Sequence, residues 1–209
     1  ESKHASNYDS GRTALTYALK ACEIKEDDEI LVQSYTCMVV SNAITWTGAK
    51  PIYVDIKNDF NMDSDDLEKK ITDKSKVLII QHTFGKPADL KSLIAIAKKH
   101  NLKIIEDCAH SFGAKQDGKL LGTFGDIGMF SFGSDKILSC VRGGGLITND
   151  DEISKKLQEF QSRLPLARKL KVIQHLFHYI AFTKGKPLYN LGVGKWILGT
   201  SKKLNLIKY

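Results

Sequence analysis

The fold is decided by two apolar runs, Val77-Leu-Ile-Ile-Gln81 and Leu102-Lys-Ile-Ile-Glu106, with the amphipathic segment Ala88–His100 between them. A short, continuous apolar run is typical of a strand that is buried on both faces, and a helix between two such strands makes them parallel. The sequence therefore predicts a β-α-β unit at the centre of the chain, from which a parallel sheet extends.

The same alternation continues on both sides of this unit. Further strands are predicted at Glu29–Gln33, Pro51–Asp55, Ile127–Phe132 and Gly145–Thr148. Further helices are predicted to start at Ser10 and to cover Thr36–Trp46, Asp63–Ile71 and Asp151–Gln161. We therefore expect an α/β fold with a mostly parallel central sheet and helices on both faces, in a domain over residues 1–160.

Composition excludes several classes of protein. The chain has 209 residues, of which 42% are hydrophobic and 26% charged, as in globular rather than disordered proteins. Its four cysteines form no Cys-x-x-Cys pair and are too few for a disulfide scaffold, which favours a reducing, cytoplasmic location. No apolar run approaches the roughly 20 residues that cross a bilayer, and no signal-peptide pattern opens the chain.

The net charge of +7 is concentrated at one end. Residues 1–150 carry 19 basic and 21 acidic side chains, whereas residues 151–209 carry 12 and 3. No acid occurs from residue 161 onward, and Val172, Ile173, Leu176 and Ile180 follow helical spacing. We expect residues 161–209 to form a basic amphipathic segment that packs on another domain or subunit. Peripheral contact with an anionic membrane is the alternative, and nucleic acid is not expected because no recognition motif accompanies the charge.

Polar side chains follow the predicted strands, where an open α/β sheet places its chemistry. Ser10-Gly11-Arg12 opens a helix, whose free backbone N–H groups and dipole favour an anion such as a phosphate. Asp107 ends a buried strand, where a carboxylate needs a cation or hydrogen-bond donors, and His110 follows it. The alternatives are structural: Ser10 as an ordinary helix cap, and Asp107 as the cap of the next segment.

A hydroxyl and an amine follow another strand five positions apart, as Ser131 and Lys136. A partly desolvated lysine is a nucleophile toward carbonyl groups, the basis of Schiff-base chemistry, although a solvated loop lysine is the alternative. An anion site, a strand-end aspartate and a strand-end lysine, in that order, match the needs of pyridoxal 5'-phosphate. No metal site is predicted.

Several motifs, in this order and spacing, resemble those of the DegT/DnrJ/StrS sugar aminotransferases, over about Tyr8 to Asp150. The motifs are Ser10-Gly-Arg-Thr-Ala-Leu15, Ser34-Tyr-Thr36, Gly48-Ala-Lys-Pro-Ile-Tyr-Val-Asp55, His82-Thr-Phe-Gly85, Glu106-Asp-Cys-Ala-His110, and Phe130-Ser-Phe132 through Lys136 to Gly144. The resemblance implies the large domain of a fold-type I pyridoxal-phosphate transferase, like that of aspartate aminotransferase. It also implies that an N-terminal segment and a smaller C-terminal domain are missing.

The resemblance assigns roles to individual residues. Lys136 looks like the lysine that binds the cofactor's aldehyde, Asp107 like the partner of the pyridinium nitrogen, and His110 like a neighbour of the phenolic oxygen. Phosphate contacts are implied for Ser131, Gly11 and Arg12, the last in place of a common Thr.

The resemblance also marks a departure. Cys37 stands where the family usually stacks an aromatic ring on the cofactor, so Tyr35 or His82 is expected to cover the cofactor instead.

The implied reaction is transfer of an amino group from glutamate to a keto-sugar nucleotide, in a homodimer whose second subunit completes the site. Relatives with His in place of the lysine act as dehydratases, so Lys136 favours aminotransfer. Two alternatives stay open: another fold-type I reaction, such as elimination or dehydration at a sugar carbon, and a cofactor-binding or regulatory relic without activity.

Overall fold

The computed structural model describes residues 2–203, in which strands and helices alternate as predicted. The strands are β1 His4–Tyr8, β2 Glu29–Gln33, β3 Lys50–Val54, β4 Ser75–Gln81, β5 Lys103–Asp107, β6 Lys115–Gln116, β7 Lys119–Leu120, β8 Ile127–Ser131 and β9 Gly144–Thr148. The α-helices are α1 Gly11–Ala21, α2 Met38–Thr45, α3 Ser64–Lys70, α4 Leu90–Lys99, α5 Asp151–Ser162, α6 Lys169–Gly185 and α7 Val193–Lys203.

Seven strands form the central sheet, in the order β1-β9-β8-β5-β4-β2-β3. The pairs from β3 through β8 are parallel, and β9 pairs antiparallel with both β8 and β1. The α/β prediction is therefore confirmed, with an antiparallel edge that the sequence did not reveal. Strand β1 was not predicted because its sequence, His-Ala-Ser-Asn-Tyr, is polar, and only Ser6 and Tyr8 are buried.

Local side-chain chemistry sets the helix boundaries. Helix α1 begins where Ser10 accepts a hydrogen bond from the backbone N of Thr13, and its buried face includes Leu15 and Leu19, as its spacing predicts. Helix α4 begins at Leu90 rather than Ala88, because the Asp89 side chain caps it through the N–H of Ser92. Helix α2 begins two residues later than predicted, because Cys37 before it is extended and the Thr36 hydroxyl donates a hydrogen bond to Gln81.

The described chain divides into two compact units, one through Arg163 and one from Leu164. In the second unit α6 ends at Gly185, where the Lys184-Gly-Lys-Pro sequence predicts a break, and α7 packs on α6. Many of its apolar side chains are exposed, among them Leu170, Leu176 and Trp196. The last residues of the predicted basic segment, 204–209, lie outside the described residues. Within the described range no helix combines the length and apolarity needed to cross a bilayer.

Candidate active site

A cavity of about 500 Å³ lies at the carboxyl edge of the sheet. Parallel pairing places the last residues of neighbouring strands side by side, with Gln81 beside Asp107 and Asp107 beside Met129. The cavity brings together seven of the eight residues that the sequence nominated, namely Gly11, Arg12, Cys37, Asp107, His110, Ser131 and Lys136. The eighth, Ser10, is absent from this lining.

Asp107 is the buried acid of the cavity. Its Oδ1 accepts a hydrogen bond from the N–H of Ala109 at 3.0 Å, and no other hydrogen bond to its carboxylate occurs among residues 2–203. Burial raises the pKa of Asp107, although that N–H and the positive charge of Lys136 oppose the rise. The carboxylate therefore has capacity for a further donor, and a cationic N–H in the cavity would relieve its desolvation.

Lys136 is the partly buried amine of the cavity. Its side chain is 17% exposed, and its Nζ lies 3.1 Å from Oδ2 of Asp135, which also lines the cavity. The backbone N of Lys136 donates to the carbonyl of Gly133 at 3.1 Å, which closes a turn directly after β8. This hydrogen bond fixes the backbone from which the Lys136 side chain reaches the cavity.

The start of α1 meets the end of β8 at a very short distance. A Cβ at Gly11 would lie 2.8 Å from the Cβ of Ser131, so only glycine permits this approach. A Cβ at Gly144 would lie 2.4 Å from the carbonyl oxygen of Ser10, which explains part of the Gly143–Gly145 triplet. The exposed backbone N–H groups of a helix start and the Ser131 hydroxyl therefore share one wall of the cavity.

Ser10 serves the helix rather than the cavity. Its Oγ accepts from the N–H of Thr13 at 3.2 Å and lies 2.9 Å from the Thr13 hydroxyl. Asp9 accepts from the Thr13 hydroxyl and pairs with Arg142 at 3.1 Å. The helix-cap alternative for Ser10 thus describes its geometry, and a direct contact between Ser10 and a ligand stays a prediction.

Cys37 shares the cavity lining with aromatic side chains. Cys37 precedes α2 and is exposed, with no capping hydrogen bond from its side chain. Tyr35 and Phe84 line the same cavity, and the Phe84 ring is parallel to the ring of His110, with centroids 6.2 Å apart. His82, in contrast, is fully buried and lies outside the cavity lining, so its expected role in covering the cofactor is wrong.

His82 is instead part of a buried hub around Glu106. Glu106 accepts hydrogen bonds from the N–H groups of Gly122, Phe124 and Gly125, at 2.6 to 2.9 Å, and lies 3.2 Å from Nε2 of His82. Nδ1 of His82 accepts from the N–H of Ala88, which assigns the proton to Nε2. Cys108 is close enough to complete a possible trio of metal ligands, but these hydrogen bonds already occupy the histidine and the carboxylate.

Sequence reasoning missed a polar cluster beneath the aromatic rings. Gln81 accepts from the Thr36 hydroxyl at 2.6 Å and donates to Thr83 at 3.0 Å, and Gln33 donates to Thr83 and to the carbonyl of Tyr35. The position of Gln81 at the end of β4 was a usable signal, but its partners come from other loops. The cluster fixes the segment that carries Tyr35, Thr36 and Cys37 against the sheet.

This fold and this cavity define an α/β protein whose candidate site lies at the carboxyl edge of a mostly parallel sheet. The chain belongs to the DegT/DnrJ/EryC1/StrS aminotransferase family, whose model matches residues 1–176. The resemblance drawn from the motifs is therefore confirmed.

Individual relatives agree with the family. The chain is 41% identical over 162 residues to the GDP-perosamine synthase of Escherichia coli O157:H7. This match covers 77% of this chain and 44% of that protein. The solved aminotransferase of Psychrobacter cryohalolentis matches with a TM-score of 0.75 and 34% identity, over 77% of this chain and 41% of that one. A protein of Streptococcus pneumoniae in its PLP form matches with a TM-score of 0.71 and 28% identity, over 75% and 46%. The chain thus spans less than half the length of these relatives.

Proposed function

We propose that this chain is the cofactor-binding part of a pyridoxal-phosphate-dependent aminotransferase that transfers an amino group from glutamate to a keto-sugar carried by a nucleotide. The observation that carries the proposal is the single cavity that Asp107, Lys136 and the start of α1 share. Family membership supports the reaction class, the GDP-perosamine synthase supports a nucleotide-linked sugar, and the PLP form of the Streptococcus pneumoniae protein supports the cofactor.

Three features of the cavity fit this cofactor. When bound, pyridoxal phosphate supplies an aldehyde that condenses with amines and a ring that withdraws electrons from the carbon being deprotonated. The under-paired carboxylate of Asp107 fits a protonated ring nitrogen, and the Lys136 amine fits the aldehyde. The cradle between Gly11 and Ser131, which a Cβ would fill, fits the phosphate.

Each residue then has a defined task. Asp107 holds the proton on the ring nitrogen, because separating the buried carboxylate from a cation is costly. Lys136 would hold the aldehyde group of the cofactor through its Nζ, and the same Nζ, when free, would be placed to accept and return a proton. Ser131, Arg12 and the N–H groups of α1 bind the phosphate.

Further side chains are proposed to contact the faces and edges of the cofactor ring. We assign His110 to the phenolic oxygen and Tyr35, with Phe84, to the space that an aromatic residue at position 37 would fill. Cys37 then contacts the cofactor only with its thiol, and Ser10 supports the phosphate site through the cap of α1.

Covalent trapping tests the cofactor assignment. With pyridoxal phosphate and borohydride, we expect the peptide that contains Lys136 to gain the mass of the reduced cofactor. Lys136→Ala abolishes this label, while Lys91→Ala, at an exposed position on α4, leaves it unchanged. Labelling of other lysines with none at residue 136 contradicts the assignment.

Reaction with glutamate separates the enzyme alternatives. An aminotransferase releases 2-oxoglutarate from glutamate in a single turnover of the loaded protein. A trapped cofactor with no 2-oxoglutarate would favour elimination chemistry or a non-catalytic role. A full-length protein containing this chain is the reference in the same assay.

We also propose that a second copy of the chain completes the site. Tyr35, Phe60 and Phe84 form a half-exposed aromatic cluster on three loops at the cavity mouth, with ring centroids 5.3 to 6.2 Å apart. Phe60 and Phe84 have φ values of 64° and 54°, unusual for bulky side chains, and such strain is concentrated at functional surfaces. An exposed apolar cluster next to a catalytic cavity supports burial by a partner.

For the second unit we propose contact with protein rather than lipid. Its exposed Leu170, Leu176 and Trp196 are flanked by lysines and by no acid up to residue 203. Apolar side chains of this size support an interface, with the lysines solvated at its rim. An anionic membrane surface is the competing partner, and the reducing cytoplasm is the proposed location.

A further inference from the structure

We propose that Asp135 is a positioning residue that holds the Lys136 ammonium toward the mouth of the cavity and sets the pH range in which its amine is free to react. This inference rests on the proposed function, in which the neutral Lys136 amine attacks a carbonyl. Asp135 lies within the motif that runs from Phe130 to Gly144, but the proposed function gives it no role.

The geometry of the turn after β8 carries the proposal. Side chains of adjacent residues usually diverge, yet Oδ2 of Asp135 lies 3.1 Å from Nζ of Lys136. The turn that brings them together is closed by the hydrogen bond from Lys136 N to the carbonyl of Gly133. A Cβ at Gly133 would lie 3.0 Å from Oδ1 of Asp135, so glycine leaves room for the carboxylate.

The two side chains meet at the edge of the cavity with unequal exposure. Both line it, but the Lys136 side chain is 17% exposed and that of Asp135 is 74% exposed. The carboxylate of Asp135 therefore lies on the solvent side of the Lys136 amine, while the rest of the Lys136 side chain is mostly buried. Such a pair directs Nζ toward the mouth of the cavity when no carbonyl is bonded to it.

Other charged and titratable groups face the same space. Asp107 lies at the end of β5 and His110 follows it, Arg12 lies on α1, and Tyr35 and Cys37 precede α2. Among the described residues, Asp135 is the only carboxylate within ion-pair distance of Lys136. Asp107, by contrast, influences the amine only through longer-range attraction.

Asp135 acts as a fixed charge rather than as a base. Burial raises the pKa of Asp135, but the hydrogen bond from Lys136, that from its own backbone N–H, and the charges of Lys136 and His110 bring the pKa below its ordinary value. The carboxylate thus stays ionised through the neutral range. A fixed anion favours the ammonium over the neutral amine, and only the neutral amine attacks a carbonyl.

The consequence is a shift in the pH profile of Lys136. Replacing Asp135 by Asn removes the anion and keeps the size of the side chain. We expect the amine to become reactive about half a pH unit lower, a shift typical of solvent-exposed ion pairs. Below the midpoint this shift makes labelling about threefold faster.

The experiment measures the free amine directly and does not need the cofactor. The chain is treated with a trace of acetic anhydride between pH 6 and pH 11, and acetylation of Lys136 is quantified by peptide mass spectrometry. Asp135→Glu keeps the charge and is expected to follow the original profile. Asp117→Asn, on the turn between β6 and β7, removes one charge outside the cavity and is the matched control.

The outcomes separate this inference from the proposed function. An acid shift in Asp135→Asn alone supports it, while superimposed profiles for Asp135→Asn, Asp117→Asn and the original chain overturn it. A parallel series with pyridoxal phosphate and borohydride tests the function: no label at Lys136 at any pH refutes the cofactor assignment, whatever the acetylation shows. Circular dichroism confirms that each variant is folded.

Discussion

Glu106 and Asp107 are neighbours on β5, yet their environments drive their acidities in opposite directions. Successive side chains of a strand point to opposite faces, so the two carboxylates meet different surroundings. Burial raises the pKa of Glu106, but hydrogen bonds from His82, Gly122 and Gly125 lower it overall. Asp107 has one such bond and keeps a raised pKa because of its burial. The hydrogen bonds to Glu106 give it a structural role, whereas the Asp107 carboxylate keeps capacity for a further donor.

Because Asp107 is buried with a single hydrogen-bond donor, we expect it to lower the stability of the cofactor-free chain while favouring cofactor binding. A folded-state pKa above the unfolded value means that ionisation costs stability once the pH rises above the unfolded value. Asp107→Asn is therefore expected to stabilise the cofactor-free chain at pH 7, by about 1–3 kcal/mol as for other under-paired buried groups, and to weaken pyridoxal phosphate binding.

Two measurements check this expectation. Urea unfolding at pH 7 and pH 4 gives the stability difference, which shrinks at the lower pH because a larger fraction of Asp107 is then protonated. Cofactor titration gives the affinity. An Asn variant that is less stable and binds the cofactor normally would mean that Asp107 is a structural residue.

At the scale of elements, Glu106 joins β5 to the segment before β8. Its carboxylate accepts three backbone N–H groups from residues 122–125, which a glutamine cannot match because its amide presents a donor on one side. We expect Glu106→Gln to destabilise the chain by about 3 kcal/mol, as for a broken buried charge network.

The acid dependence of unfolding gives a second readout for Glu106. Because its folded pKa is lowered, its contribution is present above the unfolded value and is lost as the pH falls through the folded value. The original chain therefore loses stability in acid more steeply than Glu106→Gln. Glu68→Gln removes a partly exposed carboxylate paired with Lys99 and His100, and is expected to change stability by less than about 1 kcal/mol. Equal effects of the two substitutions would show that the hub is unimportant.

Secondary-structure elements differ in how far nearby residues alone determine their formation. The helices and parallel strands have the expected bounds within a few residues, because apolar spacing and capping side chains act over a few positions. The hairpin of β6 and β7 was missed, although Asp117-Gly118 between them is a typical hairpin turn, with φ values of 50° and 78°. Its two-residue strands carry no readable pattern.

At the scale of the whole molecule, the aromatic cluster predicts self-association. If a second copy covers Tyr35, Phe60 and Phe84, then Phe60→Ser should shift the chain from dimer to monomer in light scattering coupled to size exclusion. Phe60 is outside the cavity lining, and circular dichroism checks that the variant is folded, since loss of the second copy would itself leave the cofactor site incomplete. A chain that is monomeric both with and without the substitution contradicts the proposal for this part of the protein.

Most of the residues that the sequence nominated lie together in the structure, but His82 does not have the role expected of it. Seven of the eight line one cavity because parallel strands place their carboxyl ends at one edge, a consequence of strand order that the sequence contains. His82 shows the limit of this reasoning, since it also follows a strand end and is fully buried. The direction of a side chain after a strand depends on the loop, which distant segments hold in place.

The sequence by itself determined the alternation of strands and helices, the edge of the sheet at which the chemistry lies, and the family. These follow from spacing and from motifs, which are local or keep their order along the chain. Only the tertiary structure decided that the Glu106 carboxylate is fully hydrogen-bonded while that of Asp107 keeps capacity for a further donor. It also decided that Gly11 lies against Ser131 and that Asp135 pairs with Lys136. The reason is physical: burial, hydrogen-bond partners and charge pairing depend on distances, and the chain sets these distances only when segments far apart in sequence pack together.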